Sequence, residues 1–241
     1  MHPTEPPFLR IQFYLTAPYP CSYIEGLEAK SQVAAPAHLI GSAAYSQLIR
    51  AGFRRSGDYI YRPKCSGCAR CVPVRVDVGA FKPSRTQRRC WKKNQDLRAV
   101  LRPLVQDEAH FDLYRRYQRG RHTGGGMDQD GSDQYAQFLL SSQVDSALVE
   151  FRDGQELVMV CVVDQVEDGL SAVYTFFDPG REKDSLGTYA VLWQIEYARR
   201  LGLPFVYLGY WIEDSRKMSY KTSYRPLEGL VNHGWVRLRD V

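Results

Sequence analysis

The sequence predicts an α+β protein with a mixed sheet, and three observations carry this prediction. Apolar, β-branched runs at residues 147–151, 156–164 and 170–177 are separated by Asp153-Gly154 and Asp168-Gly169. This spacing is typical of antiparallel strands joined by tight turns. A helical pattern at residues 188–201 and an apolar run at residues 205–211 follow the third strand closely. Strand, helix and strand with short joints indicate a βαβ unit with two parallel strands.

Shorter elements are predicted before this unit. We expect strands at residues 9–15 and 72–78, the latter from its alternating valines, and a turn that leads into a strand at residues 54–61. Apolar spacing and flanking Gly or Pro residues predict helices at residues 38–51, 87–97, 107–119 and 135–140. Residues 122–133 contain three consecutive glycines and are predicted to form a mobile loop. Pro103 marks the predicted boundary between an N-terminal basic, cysteine-containing domain, residues 1–103, and a C-terminal domain, residues 104–241.

Composition narrows the class of protein. Of the 241 residues, 44% are hydrophobic and 24% are charged, which is typical of a soluble globular protein. No apolar run approaches the roughly 20 residues of a membrane span. The first residues lack the pattern of a signal peptide, so we expect a cytoplasmic protein. In that compartment the six cysteines indicate metal ligands or reduced thiols rather than disulfides.

Basic residues are concentrated in one part of the chain. Between Arg50 and Arg102 there are fifteen Lys or Arg residues and three acids, whereas the remainder is net acidic. This asymmetry predicts a polyanionic partner, and nucleic acid is the expected one. Residues 82–93 carry six of these cations, with Trp91 among them. A helix here would place its cations as a stripe suited to the phosphates of a nucleic acid or, alternatively, simply exposed to solvent. The predicted phosphate contacts are Arg85, Arg88, Arg89, Lys92 and Lys93.

Three cysteines, Cys65, Cys68 and Cys71, have C-x2-C-x2-C spacing. Thiolates so spaced can turn toward one centre, as zinc or an iron–sulfur cluster requires. Cys21, which follows Pro20, is the predicted fourth ligand. The alternative is a reduced turn whose cysteines only pack, and Cys90 and Cys161 are predicted to be core thiols.

Phenols and cations are concentrated after the last strand of the βαβ unit. Ligands of open α/β sheets bind beyond the carboxyl ends of strands, so this cluster predicts a site. Tyr210, Tyr220 and Tyr224 are either proton donors to a leaving oxygen or packing residues, and Lys221 is a further catalytic candidate. Ser185-Leu186-Gly187-Thr188 opens the helix, where unpaired amides could receive a phosphate or simply be capped.

The motifs resemble those of the aminoacyl-tRNA–protein transferases of the N-degron pathway, in particular the bacterial members that transfer leucine. They span nearly the whole chain in order. The residues that carry the resemblance are Pro20-Cys21-Ser22-Tyr23, Gly52-Phe53-Arg54-Arg55-Ser56-Gly57, Tyr61-Arg62-Pro63, residues 81–89, Phe177-Asp178-Pro179, Ser185-Leu186-Gly187, Lys217-Met218-Ser219-Tyr220-Lys221 and Tyr224-Arg225-Pro226.

The resemblance implies a GNAT-like acyltransferase fold in the C-terminal half, leucyl-tRNA as donor, and a protein N-terminal Asp or Glu as acceptor. The eukaryotic relatives carry a second cysteine three residues after the first, where this chain has Ile24. An acidic acceptor requires a fixed cation. The predicted substrate-binding residues are Arg54, Arg55, Arg75, Lys217, Arg225, Gly187 and Thr188. Lys221 is a further candidate for the cation that binds the acidic acceptor.

Three alternatives remain open from sequence. An arginyl donor would use the same acceptors. A CoA-dependent GNAT N-acetyltransferase would suit the sheet, but no dense Gly-rich pyrophosphate loop precedes the helix, so CoA is not expected. A non-catalytic RNA-binding module would leave the cluster around residues 217–224 without a task.

Overall fold

The computed structural model describes residues 10–121 and 131–238. Most of the predicted glycine-rich loop lies outside these residues. Within them, no helix is both long enough and apolar enough to cross a lipid bilayer.

The described residues form strands, α-helices and short helical turns. The strands are β1 Gln12–Leu15, β2 Tyr19–Pro20, β3 Glu28–Ala29, β4 Ser31–Ala35, β5 Arg54–Ser56, β6 Tyr59–Pro63, β7 Val72–Asp77, β8 Arg98–Arg102, β9 Ser146–Asp153, β10 Glu156–Val166, β11 Gly169–Phe177, β12 Phe205–Trp211, β13 Leu227–Val231 and β14 Gly234–Arg237. The α-helices are α1 Ser42–Arg50, α2 Arg85–Asn94, α3 Glu108–Arg121, α4 Ser132–Tyr135 and α5 Leu186–Arg200. A π-helical turn, Ala136–Leu140, continues α4, and 3₁₀ helices occupy Ala37–Leu39, Pro179–Asp184 and Arg216–Ser223.

The largest sheet has eight strands in the order β14-β13-β7-β12-β11-β10-β9-β8. Strands β9, β10 and β11 form the predicted antiparallel meander. Strand β12 runs parallel to β11 after α5, which confirms the predicted βαβ unit. The α+β class with a mixed sheet is therefore confirmed.

A smaller sheet has the order β1-β4-β6-β5. Residues 54–61, predicted to be a turn that leads into a strand, contain a strand on each side of the turn, because Gly57 turns the chain between β5 and β6 with a φ of +59°. A carbon on Gly57 would lie 2.2 Å from the Gln137 carbonyl oxygen, so both the turn and the close approach require glycine.

Helices cover both faces of the large sheet. Helices α2 and α5 pack on one face around Leu186, Ala190 and Ile195, whereas α3 packs on the other around Leu113 and Tyr114. Helix α5 ends where Gly202 takes a φ of +70° and Pro204 prevents continuation. The third apolar cluster joins α1 and the small sheet to Tyr207 of β12.

Strand β7 has a position that the sequence did not reveal. It lies between β12 and β13 in the large sheet and is antiparallel to both. Strands β8, β13 and β14 were also not predicted. The domain boundary at residue 103 stays a prediction, and strands from both sides of it share this sheet.

Candidate active site

The site begins where the parallel strands part. Strands β11 and β12 pair only from Gly169 to Ser171 and from Phe205 to Tyr207. Beyond that point residues 172–175 of β11 are half-buried. Strand β12 bulges against β7 between Tyr207 and Gly209 and then leads toward the 3₁₀ helix Arg216–Ser223. The two strands therefore open a cleft, here called the strand split.

Arg54 fills the base of the strand split. It is the first residue of β5, an edge strand of the small sheet. Its Nη2 donates to the carbonyl oxygens of Ala172 and Val173, at 2.6 and 3.3 Å, which β12 leaves unpaired. Gly209 permits this approach, because a Cβ there would lie 1.5 Å from Arg54 Nη1. Sequence reasoning missed Gly209, although an isolated glycine within an apolar strand indicates a bulge or a close approach.

Lys221 lies beside Arg54 and is 5% exposed. Its Nζ donates to the main-chain oxygen of Tyr210, and it lies 5.8 Å from the centre of the Tyr220 ring. Burial, assisted by the Arg54 charge, lowers the pKa of Lys221 to about 7. The amine is therefore largely uncharged slightly above neutral pH.

The three predicted tyrosines have different surroundings. The Tyr210 hydroxyl donates to the carbonyl oxygens of Gly52 and Tyr61, at 2.9 and 3.2 Å. The Tyr224 hydroxyl reaches the Thr188 carbonyl oxygen at 3.5 Å, and burial raises the pKa of both phenols. Tyr220 is 50% exposed and packs edge-on against Tyr224. Tyr210 and Tyr224 thus brace the site, and Tyr220 faces its opening.

Two of the predicted substrate-binding arginines have partners within the fold. Arg55 is buried, and its Nη2 lies 2.6 Å from Asp164 Oδ1. Arg75 Nε lies 2.8 Å from Glu228 Oε2. The guanidinium carbon of Arg75 also lies 3.4 Å from the centre of the Phe205 ring and 4.3 Å from the centre of the Trp235 ring. These contacts hold the two arginines away from the strand split.

The remaining predicted substrate-binding residues lie around the split. Lys217 and Arg225 are exposed, and Arg225 Nε donates to the Thr222 carbonyl oxygen at 3.2 Å. Gly187 and Thr188 lie in the first turn of α5. A Cβ at Gly187 would lie 3.4 Å from the Phe177 ring, and the Thr188 carbonyl oxygen meets Tyr224. The start of α5 therefore adjoins the cluster.

Helix α2 presents the predicted basic face. It begins two residues earlier than predicted, at a capping box formed by Ser84 and Gln87, and it ends at Asn94. Gln87, Cys90 and Asn94 are buried, whereas Arg85, Arg88, Arg89, Lys92 and Lys93 are exposed. Lys93 differs from the others because its Nζ lies 2.9 Å from Asp184, before α5. Lys93 therefore ties α2 to the start of α5.

All four predicted ligand cysteines line one cavity of about 400 Å³, which several tyrosines also line. Each thiol is free and half-buried. Burial, with the neighbouring Cys65, Cys21 and Cys68, raises the pKa of Cys71 to about 12. Thiols are suitable ligands for a soft metal. As they stand, however, no three His, Cys, Asp or Glu side chains of residues 10–121 and 131–238 form a group that could hold a metal ion.

Comparison with protein-family models identifies the class of enzyme. The family model described as arginine-tRNA-protein transferase, C terminus, matches residues 109–231, and the N-terminus model matches residues 19–89. Together they cover most of the chain, and both describe enzymes that transfer an aminoacyl group from tRNA to protein.

Relatives that match over nearly the full length identify the family within this class. The chain is 67% identical to the aspartate/glutamate leucyltransferase of Thiobacillus denitrificans, over 99% of each chain. It is 57% identical to that of Chromobacterium violaceum, over 95% of each chain. The chain belongs to the aspartate/glutamate leucyltransferase family of aminoacyl-tRNA–protein transferases.

The likeness to solved structures is more distant. The structure of L-PGS from Bacillus licheniformis has a TM-score of 0.47 and 12% identity, over 66% of this chain and 58% of that chain.

Proposed function

We propose that the protein transfers leucine from leucyl-tRNA to the N-terminal Asp or Glu of proteins. The product carries an N-terminal leucine joined by a new peptide bond, which would act as an N-degron for protein degradation in the cytoplasm. The observation that carries the proposal is the 67% identity, over the full length, to an aspartate/glutamate leucyltransferase. The parted strands, together with α5, are consistent with a GNAT-like transferase unit.

The transfer reaction requires few catalytic groups from the protein. An aminoacyl ester is already activated, so the enzyme must mainly hold ester and amine together and stabilise the oxyanion that forms. The neutral α-amine attacks the ester carbonyl carbon. The C–N bond forms, the nitrogen then loses a proton, the bond to the ribose oxygen breaks, and that oxygen takes a proton. An unperturbed α-amine has a pKa near 8, so a usable fraction is neutral at pH 7.

The residues of the strand split suit these tasks. Tyr220 has an exposed ring at the opening and is a suitable proton donor to the leaving ribose oxygen. Lys221, largely uncharged just above neutral pH, is a suitable acceptor for the proton of the amine. The first turn of α5 offers the backbone amides of Leu186 and Gly187 to the oxyanion or to the terminal phosphate of tRNA, whereas the Thr188 amide donates to the Ser185 carbonyl oxygen.

The basic face of α2 is the proposed tRNA surface. Arg85, Arg89 and Lys92 are exposed and form no ion pair or hydrogen bond with residues 10–121 or 131–238. Free cations on one helix face can displace the counterions of phosphates, which supplies much of the affinity of such complexes. Helix α2 packs against α5, so a tRNA bound to α2 would lie near the start of α5.

A metal held by the cysteines would serve as a structural element of the N-terminal part. Cys21, Cys65, Cys68 and Cys71 are the residues that would hold it, after their side chains converge further. No step of the transfer is assigned to it.

The test is transfer of labelled leucine from charged tRNA to peptides that begin with Asp, Glu or Ala. We expect transfer to Asp and Glu peptides and none to the Ala peptide. Labelled arginyl-tRNA serves as the competing donor, and acetyl-CoA as the competing acyl source. Preferential use of either would reject leucyl transfer as the activity.

A further inference from the structure

The strand split contains a cation without an anion. Arg54 is half-buried, and within the described part of the chain its guanidinium donates only to the main-chain oxygens of Ala172 and Val173. Among residues 10–121 and 131–238, no carboxylate lies within ion-pair distance of it. Charged groups that are withdrawn from water are ordinarily paired. An unpaired guanidinium inside a cleft is therefore suited to an anion that arrives with a ligand.

The ionisable groups around Arg54 also show that it has no acidic partner among the described residues. Burial raises the pKa of Tyr23, Tyr61 and Tyr210, and the Arg54 charge opposes that shift at each phenol. The same charge contributes to the lowered pKa of Lys221. Arg54 therefore faces phenols and a second basic group instead of acids. A bound carboxylate would relieve the repulsion between Arg54 and Lys221.

The other cations are less suitable. Asp164 engages Arg55, and Glu228 engages Arg75. Lys217 and Arg225 are exposed on the outer side of the cluster, where water screens their charge. Lys221 loses its charge slightly above neutral pH. Arg54 alone of the six predicted cations combines partial burial, a permanent charge and the lack of a carboxylate partner among the described residues.

We propose that Arg54 is the specificity-determining residue that binds the side-chain carboxylate of the acceptor's N-terminal Asp or Glu. The inference rests on the proposed function, because it assigns the acidic acceptor to one residue of that site. The N–H groups of Nε and Nη1 have no acceptor among the described residues, and because they lie on different edges of the guanidinium, one of them is the donor for this carboxylate. Contacts with Ala172 and Val173 fix the guanidinium, so it recognises a carboxylate in one position.

Gly209 is the positioning residue for this arginine. A Cβ at position 209 would overlap Arg54 Nη1, at 1.5 Å, and would push the guanidinium aside. The substitution Gly209→Ala therefore displaces the cation without removing it. It supplies a second and independent perturbation of the same contact.

The experiment compares leucine transfer to matched peptides that begin with Asp and with Asn. The variants are Arg54→Met, which keeps bulk and removes charge, and Gly209→Ala. Arg216→Met, which removes an exposed arginine from the neighbouring 3₁₀ helix, is the matched control. The readouts are kcat and KM for each peptide and the Kd for leucyl-tRNA.

We expect Arg54→Met to lower the ratio of kcat/KM for Asp over Asn by about 10- to 100-fold, as the loss of a charged hydrogen bond implies. The loss should lie mainly in KM for the Asp peptide, with the Kd for tRNA unchanged. Gly209→Ala should lower the same ratio, and Arg216→Met should leave it unchanged.

An unchanged ratio in Arg54→Met would overturn the inference. So would an equal loss with both peptides or weaker tRNA binding, since either would mean that Arg54 supports the fold or the donor. If Arg54→Met does not fold, the ratio in Gly209→Ala decides in the same way. Failure of the wild-type protein to transfer leucine would reject the proposed function itself, and this inference with it.

Discussion

Replacement of Lys221 by Met should make the protein more stable in a pH-dependent way. In the folded protein the Lys221 pKa is about 7, against its usual 10.5. Between these values the unfolded chain holds a proton that the folded protein has lost. Stability therefore rises with pH across this window, and the burial penalty is largest below pH 7.

The size of the effect follows from the two pKa values. The penalty for burying Lys221 is about 4–5 kcal/mol near pH 6 and about 2 kcal/mol near pH 9. The Met variant escapes this penalty but leaves the Tyr210 carbonyl oxygen without its donor, at a cost of about 1–3 kcal/mol that does not depend on pH. The advantage of the variant should thus shrink by about 2.5 kcal/mol between these pH values.

Urea unfolding followed by circular dichroism measures this difference directly. The wild type, Lys221→Met and the control Lys217→Met, which removes an exposed lysine, are compared at both pH values. The control should behave like the wild type at each. If the stability difference between Lys221→Met and the wild type does not change with pH, Lys221 is charged in the folded protein and this reasoning is wrong.

Three further outcomes test other parts of the structure. Arg89→Glu combined with Lys92→Glu should weaken tRNA binding and reduce the slope of log Kd against log salt by about 2, with KM for the acceptor peptide unchanged; an unaltered slope would place tRNA elsewhere. Asp164→Ala leaves Arg55 buried without its partner and should lower the free energy of unfolding by about 3–5 kcal/mol, measured by urea titration. Gly57→Ala should cost roughly 2–4 kcal/mol, because the new carbon would meet the Gln137 carbonyl oxygen in a left-handed turn; a neutral result would contradict that contact.

The local parts of the fold could be predicted because their signals are local. The meander β9–β11 follows from apolar runs separated by Asp-Gly turns, and the limits of α5 follow from Gly202 and Pro204. No local feature of the sequence predicts the position of β7 in the large sheet. Its neighbouring strands come from residues more than a hundred positions later. The choice between sheet partners depends on packing, which the alternation of valines along β7 does not reveal.

The site shows the same division. Position in the chain directed attention to the residues after β12, but it could not separate Arg54 from Arg55. Adjacent residues of a strand point to opposite faces, so one of the two faces the strand split and the other faces the core. Which one does so is decided by Asp164, a partner 109 positions away. The metal ligation predicted for the cysteines stays a prediction.

The position of β7 has a consequence for how the protein is made. A ribosome synthesises residues 72–77 long before residues 205–231, so both edges of this strand wait without hydrogen-bond partners. Sequence separation of this kind slows folding, and unpaired strand edges expose a nascent chain to aggregation. Cells that make this protein should therefore depend on chaperones until residues 205–231 emerge, and a message truncated before residue 205 should yield a chain that is cleared rather than one that is partly active.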